Sequence, residues 1–278
     1  MSNILEQIVA TKREELEAAR ARVPLGELKA RIRDLPAARD FFGAIAAPPP
    51  RSVHVIAEIK RKSPSAGLIR PDFDPVALAR IYHANAASAL SVLTDEPYFD
   101  GRLEYIEQVR AAVPLPVLRK DFMIDPYQIY ESRAAGADAI LLIGEVLRPV
   151  ELRDLLDLAY ELGMTSLVEV HEAVTLEALL PVVPFHNDRR ALLGINNRNL
   201  KIQKTDLATT EHLAGRVGPG TLLVSESGVR TREDVDRLVR AGARALLIGE
   251  TFMKSPDVAA KMLEVLGPVT RPGAASEG

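Results

Sequence analysis

The chain has 278 residues, a net charge of −3, 47% hydrophobic and 26% charged residues, and no cysteine. The near-neutral balance without a long basic run argues against a nucleic-acid surface, and the missing cysteine excludes disulfides, thiolate metal sites and a cysteine nucleophile. No apolar run reaches transmembrane length and the charged N-terminal segment is unlike a signal peptide, so a cytoplasmic protein with no membrane partner is expected.

Residues 1–52 read as a helical extension. Ser2 or Asn3 can cap a helix in which Ile4, Leu5, Ile8, Val9, Lys12 and Leu16 recur at helical spacing, and Pro24 and Gly26 interrupt it. A second helix is predicted over 25–32 and a short one over 36–42, with Phe41 and Phe42 as anchors to the main body. Pro48-Pro49-Pro50 is a stiff connector. The extension is too small to build its own core.

A strand over 53–59 follows. With a period of 2, Val53, Val55, Ala57 and Ile59 form an apolar face, while His54, Ile56, Glu58 and Lys60 share the other. Ser63-Pro64 ends it. Taken alone, the pair Glu58 and Lys60 reads equally well as wet charges on an edge strand.

The pattern then repeats as strand, loop and amphipathic helix. Further strands are predicted over 89–93, 117–119, 139–143, 166–170, 192–195, 222–225 and 245–248. Helices are predicted near 75–85, 102–112, 126–135, 149–162, 172–180, 205–214, 231–240 and 256–265, with a flexible tail over 268–278. Eight βα units over 53–267 suit an α/β (β/α)8 barrel with an N-terminal helical extension, all one domain. A doubly wound open sheet is the competitor. The stretches 135–145 and 241–250, each running Ala-Gly-Ala into an apolar strand and then Gly-Glu, echo each other in the fourth and eighth units, as two half-barrels would. No G-x-G-x-x-G and no Walker A lysine loop marks a nucleotide site.

Polar groups recur at strand C-termini: Glu58 and Lys60, Asp95, Lys120 and Asp121, Glu169, Asn196 and Arg198, Glu226 and Ser227. In a barrel these ends meet on one face, where the active sites of this fold lie, whereas burying such charges for structure alone is costly. Gly228 after the seventh strand and Gly249 after the eighth would let backbone N–H groups approach an anion, the usual place for phosphate in such barrels. No His/Asp/Glu spacing reads as a metal site.

Six segments carry a closer resemblance. They are 56–65 (Ile-Ala-Glu-Ile-Lys-Arg-Lys-Ser-Pro-Ser), 93–95, 118–122 (Leu-Arg-Lys-Asp-Phe), 167–171 (Leu-Val-Glu-Val-His), 194–198 (Gly-Ile-Asn-Asn-Arg) and 225–228 (Ser-Glu-Ser-Gly). In this order the chain resembles the indole-3-glycerol phosphate synthase family from about Ile4 to Leu266, in its monofunctional form. The resemblance implies a phosphorylated substrate, 1-(2-carboxyphenylamino)-1-deoxyribulose 5-phosphate, that is ring-closed, decarboxylated and dehydrated without cofactor or metal; no apolar surface stripe in the sequence argues for more than a monomer. It implies catalytic roles for Glu58, Lys60, Lys120, Glu169, Asn196 and Ser227. Lys120 is the candidate general acid and Glu169 the candidate base. Substrate contacts are expected from Ser63, Phe99, Phe122, Arg198, Glu226, Gly228 and Gly249. Arg198 suits the anthranilate carboxylate, and Phe99 and Phe122 suit the aromatic ring.

Rival readings stay open. Lys120 could be a surface lysine beside Asp121, and either phenylalanine could be core packing. Arg61, Lys62 and Arg119 are expected to be pairing charges, His54 a lower-barrel core residue, His171 a weak catalytic candidate, and His186 and His212 surface residues. Glu250 departs from the serine often found there in the family, so its side chain must point away from a bound phosphate. Other phosphate-binding barrels, such as phosphoribosylanthranilate isomerase or a tryptophan synthase α-type lyase, and a noncatalytic ligand-binding barrel are the alternatives. The long extension and the Glu58/Lys60 pair weigh against the first class, and the full set of strand-end charges against the second.

Overall fold

Short runs rich in Val, Ile and Leu set the architecture. In the computed structural model, which describes residues 4–186, 188–199 and 204–270, they form eight parallel strands. These are β1 (His54–Ile59), β2 (Ala89–Leu93), β3 (Val117–Lys120), β4 (Ala139–Ile143), β5 (Thr165–Val170), β6 (Ala191–Asn196), β7 (Leu223–Glu226) and β8 (Ala245–Ile248). Each pairs with its neighbours in chain order, and β1 closes the ring on β8 with His54 opposite Ala245. Closure excludes the open-sheet alternative. The predicted strands differ from these by at most one residue at either end.

The period of 2 divides the strands into two faces. Val53, Val55, Ala57 and Ile59 pack outward among the helices, with Leu90, Val92, Val168 and Leu193. Ile56, Ala89, Leu118, Leu141, Leu167, Leu192, Val224 and Leu247 fill the barrel interior.

The helices are α1 (Ile4–Arg22), α2 (Leu25–Asp34) and α3 (Phe41–Ala46) in the extension, then α4 (Pro75–Ala84), α5 (Glu96–Phe99), α6 (Glu104–Ala112), α7 (Pro126–Ala134), α8 (Pro149–Glu161) and α9 (Ala173–Leu179). They continue as α10 (Ala208–Ala214), α11 (Arg232–Arg240), α12 (Glu250–Met253) and α13 (Val258–Leu266). Starts are fixed locally: Asp74 and Asp125 accept hydrogen bonds from backbone N–H groups of the first turn, each just before a proline, and Thr231 and Asp234 form a capping box. The one-turn helices α5 and α12 and two small hairpins, Lys62–Ser63 with Gly67–Leu68 and Arg198–Asn199 with Lys204–Thr205, lie in the mouth loops. They are too short to show a periodicity, and the sequence did not reveal them.

The extension differs in detail from expectation. Pro24 breaks the first helix, but Gly26 lies inside α2. The third helix starts at Phe41, not near 36, because Asp40 caps it through the Gly43 N–H and Arg39 N donates to Asp138 Oδ1 at 2.6 Å. Phe41 is fully buried as an anchor, while Phe42 is partly buried. Ser2, Asn3, Leu200 and the tail from residue 271 lie outside the described residues, and Thr270 N donates to Pro50 O.

This extension spans the barrel from mouth to floor. At the mouth, Ile8 of α1 joins the interior cluster and Lys12 reaches Asp95 after β2 (2.9 Å) and Asp121 after β3 (3.0 Å). Tyr127 of α7 then donates to Ala19 O and Val23 O, holding the chain along the barrel side. At the floor, Phe41 and Ile45 seal the interior, His54 contacts Ser88 Oγ and Ala47 O, and Arg244 donates to Ala46 O.

Lys12 is 5% exposed, and its ion pairs are buried. Burial opposes its charge, but Asp121 and Asp95 outweigh it and raise the ammonium above its ordinary value. Asp121 likewise stays ionised well below the usual carboxylate range despite burial, through Lys12 and then Arg119. Removing one partner of such a set leaves uncompensated charge behind. Lys12→Met is expected to lower unfolding stability by about 3 kcal/mol, measured by urea denaturation at neutral pH. A loss within error would show the network to be dispensable.

Candidate active site

The loops at the C-terminal ends of the strands surround a cavity of about 370 Å³. Every residue assigned to the site from the sequence lines it. Glu58, Lys60 and Ser63 come from β1 and its hairpin, Phe99 from α5, Lys120 and Phe122 from β3 and its loop, and Glu169 from β5. Asn196 and Arg198 come from β6 and its hairpin, Glu226, Ser227 and Gly228 from β7 and its loop, and Gly249 from the end of β8. Among the noncandidates, Arg119, Arg61, His186 and His212 fall as expected. Arg119 is buried in pairs with Asp121 (3.1 Å) and Glu131 (2.9 Å), Arg61 pairs with Asp100, and His186 and His212 are exposed.

Lys120 is central. Its Nζ donates to Glu169 Oε2 at 3.0 Å and to Glu226 Oε2 at 3.1 Å. Burial opposes its charge, but Glu169, Glu226 and Glu58 outweigh it and push the pKa above its ordinary value. The surface-lysine alternative is therefore excluded, with the side chain only 14% exposed.

The two carboxylates part ways. Burial would raise both. At Glu169 the charges of Lys120 and then His171 win, and the group is held low, at about 2. At Glu226 burial, reinforced by the charge of Glu169, outweighs Lys120 and lifts the group to about 8. Of the pair, Glu169 is thus the more readily ionised and Glu226 the one that keeps a proton to higher pH, beside a lysine held charged.

Glycines make room for this set. A Cβ at Gly194 would press on Glu226 Oε1, and one at Gly249 would collide with the Glu58 side chain. Gly249 is therefore required by the packing of Glu58, whatever it offers an anion. Glu58 accepts from Lys60, and Tyr82 donates to the Glu58 carbonyl. Ser63 is buried, with its Oγ accepting from Ala66 N in the hairpin turn. Phe99 and Phe122 face each other with ring centroids 6.1 Å apart, making the apolar wall. Asn196 Oδ1 accepts from Arg198 N. After β7, Ser227 and Gly228 both take positive φ, at 66° and 90°, and turn the chain sharply at the cavity edge.

Glu250 pairs with Arg198 (2.9 Å) and Lys254 (2.7 Å), and these hold its pKa down to about 2 against burial. Arg198 also donates to Ser65 Oγ at 2.5 Å, so it ties the loops after β1, β6 and β8 together. A substrate anion reaching Arg198 must displace Glu250.

His171, Glu145 and Lys12 do not line the cavity but pair with residues beside it, contacts the sequence did not reveal. His171 packs beside Glu169 and accepts a place between it and Glu145. Alternation along β5 puts residues 167, 169 and 171 on one face, which is the signal that points to it. Among the described residues no group of three or more His, Cys, Asp or Glu side chains is arranged to hold a metal ion.

Fold and site define a (β/α)8-barrel protein with an acid–base cluster at its catalytic face. Solved structures with similar architecture include thiamine phosphate pyrophosphorylase from Pyrococcus furiosus (TM-score 0.57, 12% identity, 78% of this chain and 95% of that one) and the tryptophan synthase A-subunit of the same organism (TM-score 0.56, 15% identity, 78% and 98%). At such identities they speak to fold alone. The family model described as indole-3-glycerol phosphate synthase matches residues 5–265. Indole-3-glycerol phosphate synthase of Rhodospirillum rubrum is 49% identical over 269 residues, covering 96% of this chain and 100% of the relative, and that of Rhodopirellula baltica is 48% identical over 255 residues, covering 92% and 95%. The chain belongs to the indole-3-glycerol phosphate synthase family.

The raised Glu226 has a consequence for stability. Its folded pKa, about 8, lies above its ordinary 4.5. Between these values the folded protein holds a proton that the unfolded chain has released, so its contribution to stability falls as pH rises through that window. Glu226→Gln removes this contribution. The urea midpoint of the variant should gain on that of the parent between pH 5 and pH 8, as an order-of-magnitude window from the same linkage. Parallel pH profiles would contradict a protonated Glu226.

Proposed function

We propose that this protein is a carboxy-lyase that converts 1-(2-carboxyphenylamino)-1-deoxyribulose 5-phosphate to indole-3-glycerol phosphate, CO2 and water in tryptophan biosynthesis. The observation that carries the proposal is the buried lysine whose Nζ donates to carboxylates brought in from two other strands. Ring closure requires a proton at the carbonyl oxygen as the electron-rich aromatic carbon attacks. Lys120, kept charged by its neighbours, is the acid. The iminium formed by closure accepts the electrons released with CO2, so the substrate supplies its own electron sink. Dehydration then needs a base at the ring C–H and an acid at the departing hydroxyl. Glu169, ionised at neutral pH, is the base. Lys60, oriented by Glu58, protonates the hydroxyl or holds an anionic group of the substrate. Asn196 and Ser227 hold substrate hydroxyls, and protonated Glu226 donates within the polar floor. Arg198, once released from Glu250, takes the anthranilate carboxylate, with Phe99 and Phe122 against its ring. Ser63 shapes the loop beside the substrate, and the loops at Gly228 and Gly249 take the phosphate.

In this proposal the enzyme works as a monomer in the cytoplasm with no metal or cofactor. The exposed large apolar side chains are scattered, including Leu68, Val150, Val174 and Leu263, and do not suggest an obligate interface. No helix among the described residues is long and apolar enough to cross a membrane.

Purified protein without added metal should form indole-3-glycerol phosphate, followed by its absorbance or fluorescence. Folded protein without turnover would refute the assignment. Lys120→Ala should lose ring closure by about a hundredfold or more while still binding substrate. Near-normal kcat would remove Lys120 from its role. Glu169→Gln should slow dehydration selectively, so that a ring-closed, undehydrated species accumulates. A normal product ratio would count against Glu169 as base.

A further inference from the structure

Glu169 has the most demanding role in the proposed steps, because it must be ionised and correctly turned while buried. Its side chain is only 2% exposed, so water does little for its charge. Lys120 Nζ holds one of its oxygens, Oε2, at 3.0 Å. In those steps, however, Lys120 gives its proton to the carbonyl oxygen on ring closure, before Glu169 takes one from the ring carbon. At that moment the nearest counter-ion of the base is neutral. A second cation, one that the reaction does not discharge, would keep the base ready.

Such a cation stands just past β5. His171 continues the alternation of that strand, so its ring lies beside the Glu169 carboxylate. Glu145, in the turn after β4, holds it twice: it accepts from the His171 backbone N–H at 2.9 Å and lies 2.9 Å from Nδ1. The same turn is fastened to β5 by Gly144 N, which donates to Glu169 O at 2.8 Å, and a Cβ at Gly144 would collide with Thr175 and Leu179 of α9. The other ring nitrogen, Nε2, is buried, has no hydrogen-bond partner among the described residues, and stands 3.4 Å from Glu169 Oε1. A buried polar group without a partner is costly, and this one is aimed at the carboxylate oxygen that Lys120 leaves free. Burial opposes the charge of the ring, but Glu145 and Glu169 outweigh it, so the ring keeps its proton to higher pH than an ordinary histidine.

We propose that His171, held from behind by Glu145, is the positioning residue of Glu169: it fixes the plane of the carboxylate from the Oε1 side and supplies a counter-charge that the reaction does not consume. This role rests on the base function proposed for Glu169, and no proton passes through the ring. Neither His171 nor Glu145 lines the cavity, so the pair acts on the substrate only through Glu169. Each carboxylate oxygen has more than one lone pair, so a cation on either side still leaves Glu169 a site for the incoming proton. The division of labour follows from geometry. Lys120 faces both Glu169 and Glu226, whereas His171 Nε2 approaches Glu169 alone within salt-bridge distance. Loss of the histidine therefore falls on the step that Glu169 performs and spares the step that Lys120 performs.

The test is a single-turnover time course, together with KM, for His171→Asn and His171→Gln in the full-length protein. Asparagine keeps a donor near the place of Nδ1, and so the contact with Glu145, but leaves nothing at Glu169. Glutamine extends a neutral donor toward Glu169 Oε1. His171→Asn should slow dehydration about tenfold or more, with ring closure and KM nearly unchanged. It should accumulate the same ring-closed, undehydrated species as Glu169→Gln. His171→Gln should recover part of the loss, because it restores a donor but not the charge. Dehydration at the parent rate in His171→Asn would overturn the positioning role, and so would a loss shared equally by ring closure and dehydration, the behaviour of a residue that serves packing alone. Glu169→Gln separates the two proposals. If that variant dehydrates at the parent rate, the base role itself fails. If it accumulates the intermediate while His171→Asn does not, only the positioning role fails.

Discussion

A charged lysine buried between two carboxylates is the constraint around which the rest of the structure is arranged. Lys120 stays protonated only because Glu169 and Glu226 come within hydrogen-bond reach from strands on other sides of the ring. An open sheet would spread these three residues along an edge. The closed ring brings β3, β5 and β7, alternate strands, to one centre. Everything nearby serves that meeting. Gly194 leaves space for Glu226, Gly249 leaves space for Glu58, and Asp121 anchors the chain directly after Lys120 through Lys12 and Arg119. Two chemically identical carboxyl groups are thereby pushed in opposite directions, Glu169 toward its ionised form and Glu226 toward its protonated one, which is what an acid–base sequence of steps requires.

Much of this was legible in the sequence because it is written locally. Strand runs such as 89–93, 139–143 and 245–248 declare themselves by β-branched and aliphatic residues between turn signals, and their bounds agree with the structure. The charged residues at strand ends were legible for the same reason: once the barrel is inferred, a polar residue at a strand C-terminus has only one place to point. What escaped depends on partners remote in the chain. Lys12 stood on the buried stripe of α1, a charge at an apolar position, but nothing nearby named Asp95 or Asp121 as its counter-ions. The need for Gly249 comes from Glu58, nearly the full length of the barrel away in sequence. His171 was read only as a weak candidate because it lies just past Glu169, although the alternation that placed Glu169 inward places it inward too. The hairpins of the mouth loops have two residues to a strand, too few for any periodic signal.

Arg198 and Glu250 show how a departure from a family pattern can be absorbed. An acidic side chain at the barrel mouth would repel an anionic ligand. Here it is neutralised from two sides, by Arg198 and Lys254, and its charge is spent on holding three mouth loops in register. The loops of the mouth are thus tied to one another through an internal anion.

The route of the extension, over the mouth and down to the floor, bears on how the chain becomes active as it is made. Its residues leave the ribosome before those of the barrel, yet Ala19 meets Tyr127 across 108 positions and Ala47 meets Arg244 across 197. Contacts of such long sequence separation are slow to form because the chain entropy must be lost before they repay it. A nascent chain that has completed three or four strands holds Lys12 and Lys120 without the carboxylate of Glu226, and without the strand that closes the ring. Catalytic competence therefore arrives late and all at once, when β8 docks against β1, so an interrupted chain carries no partial activity with it.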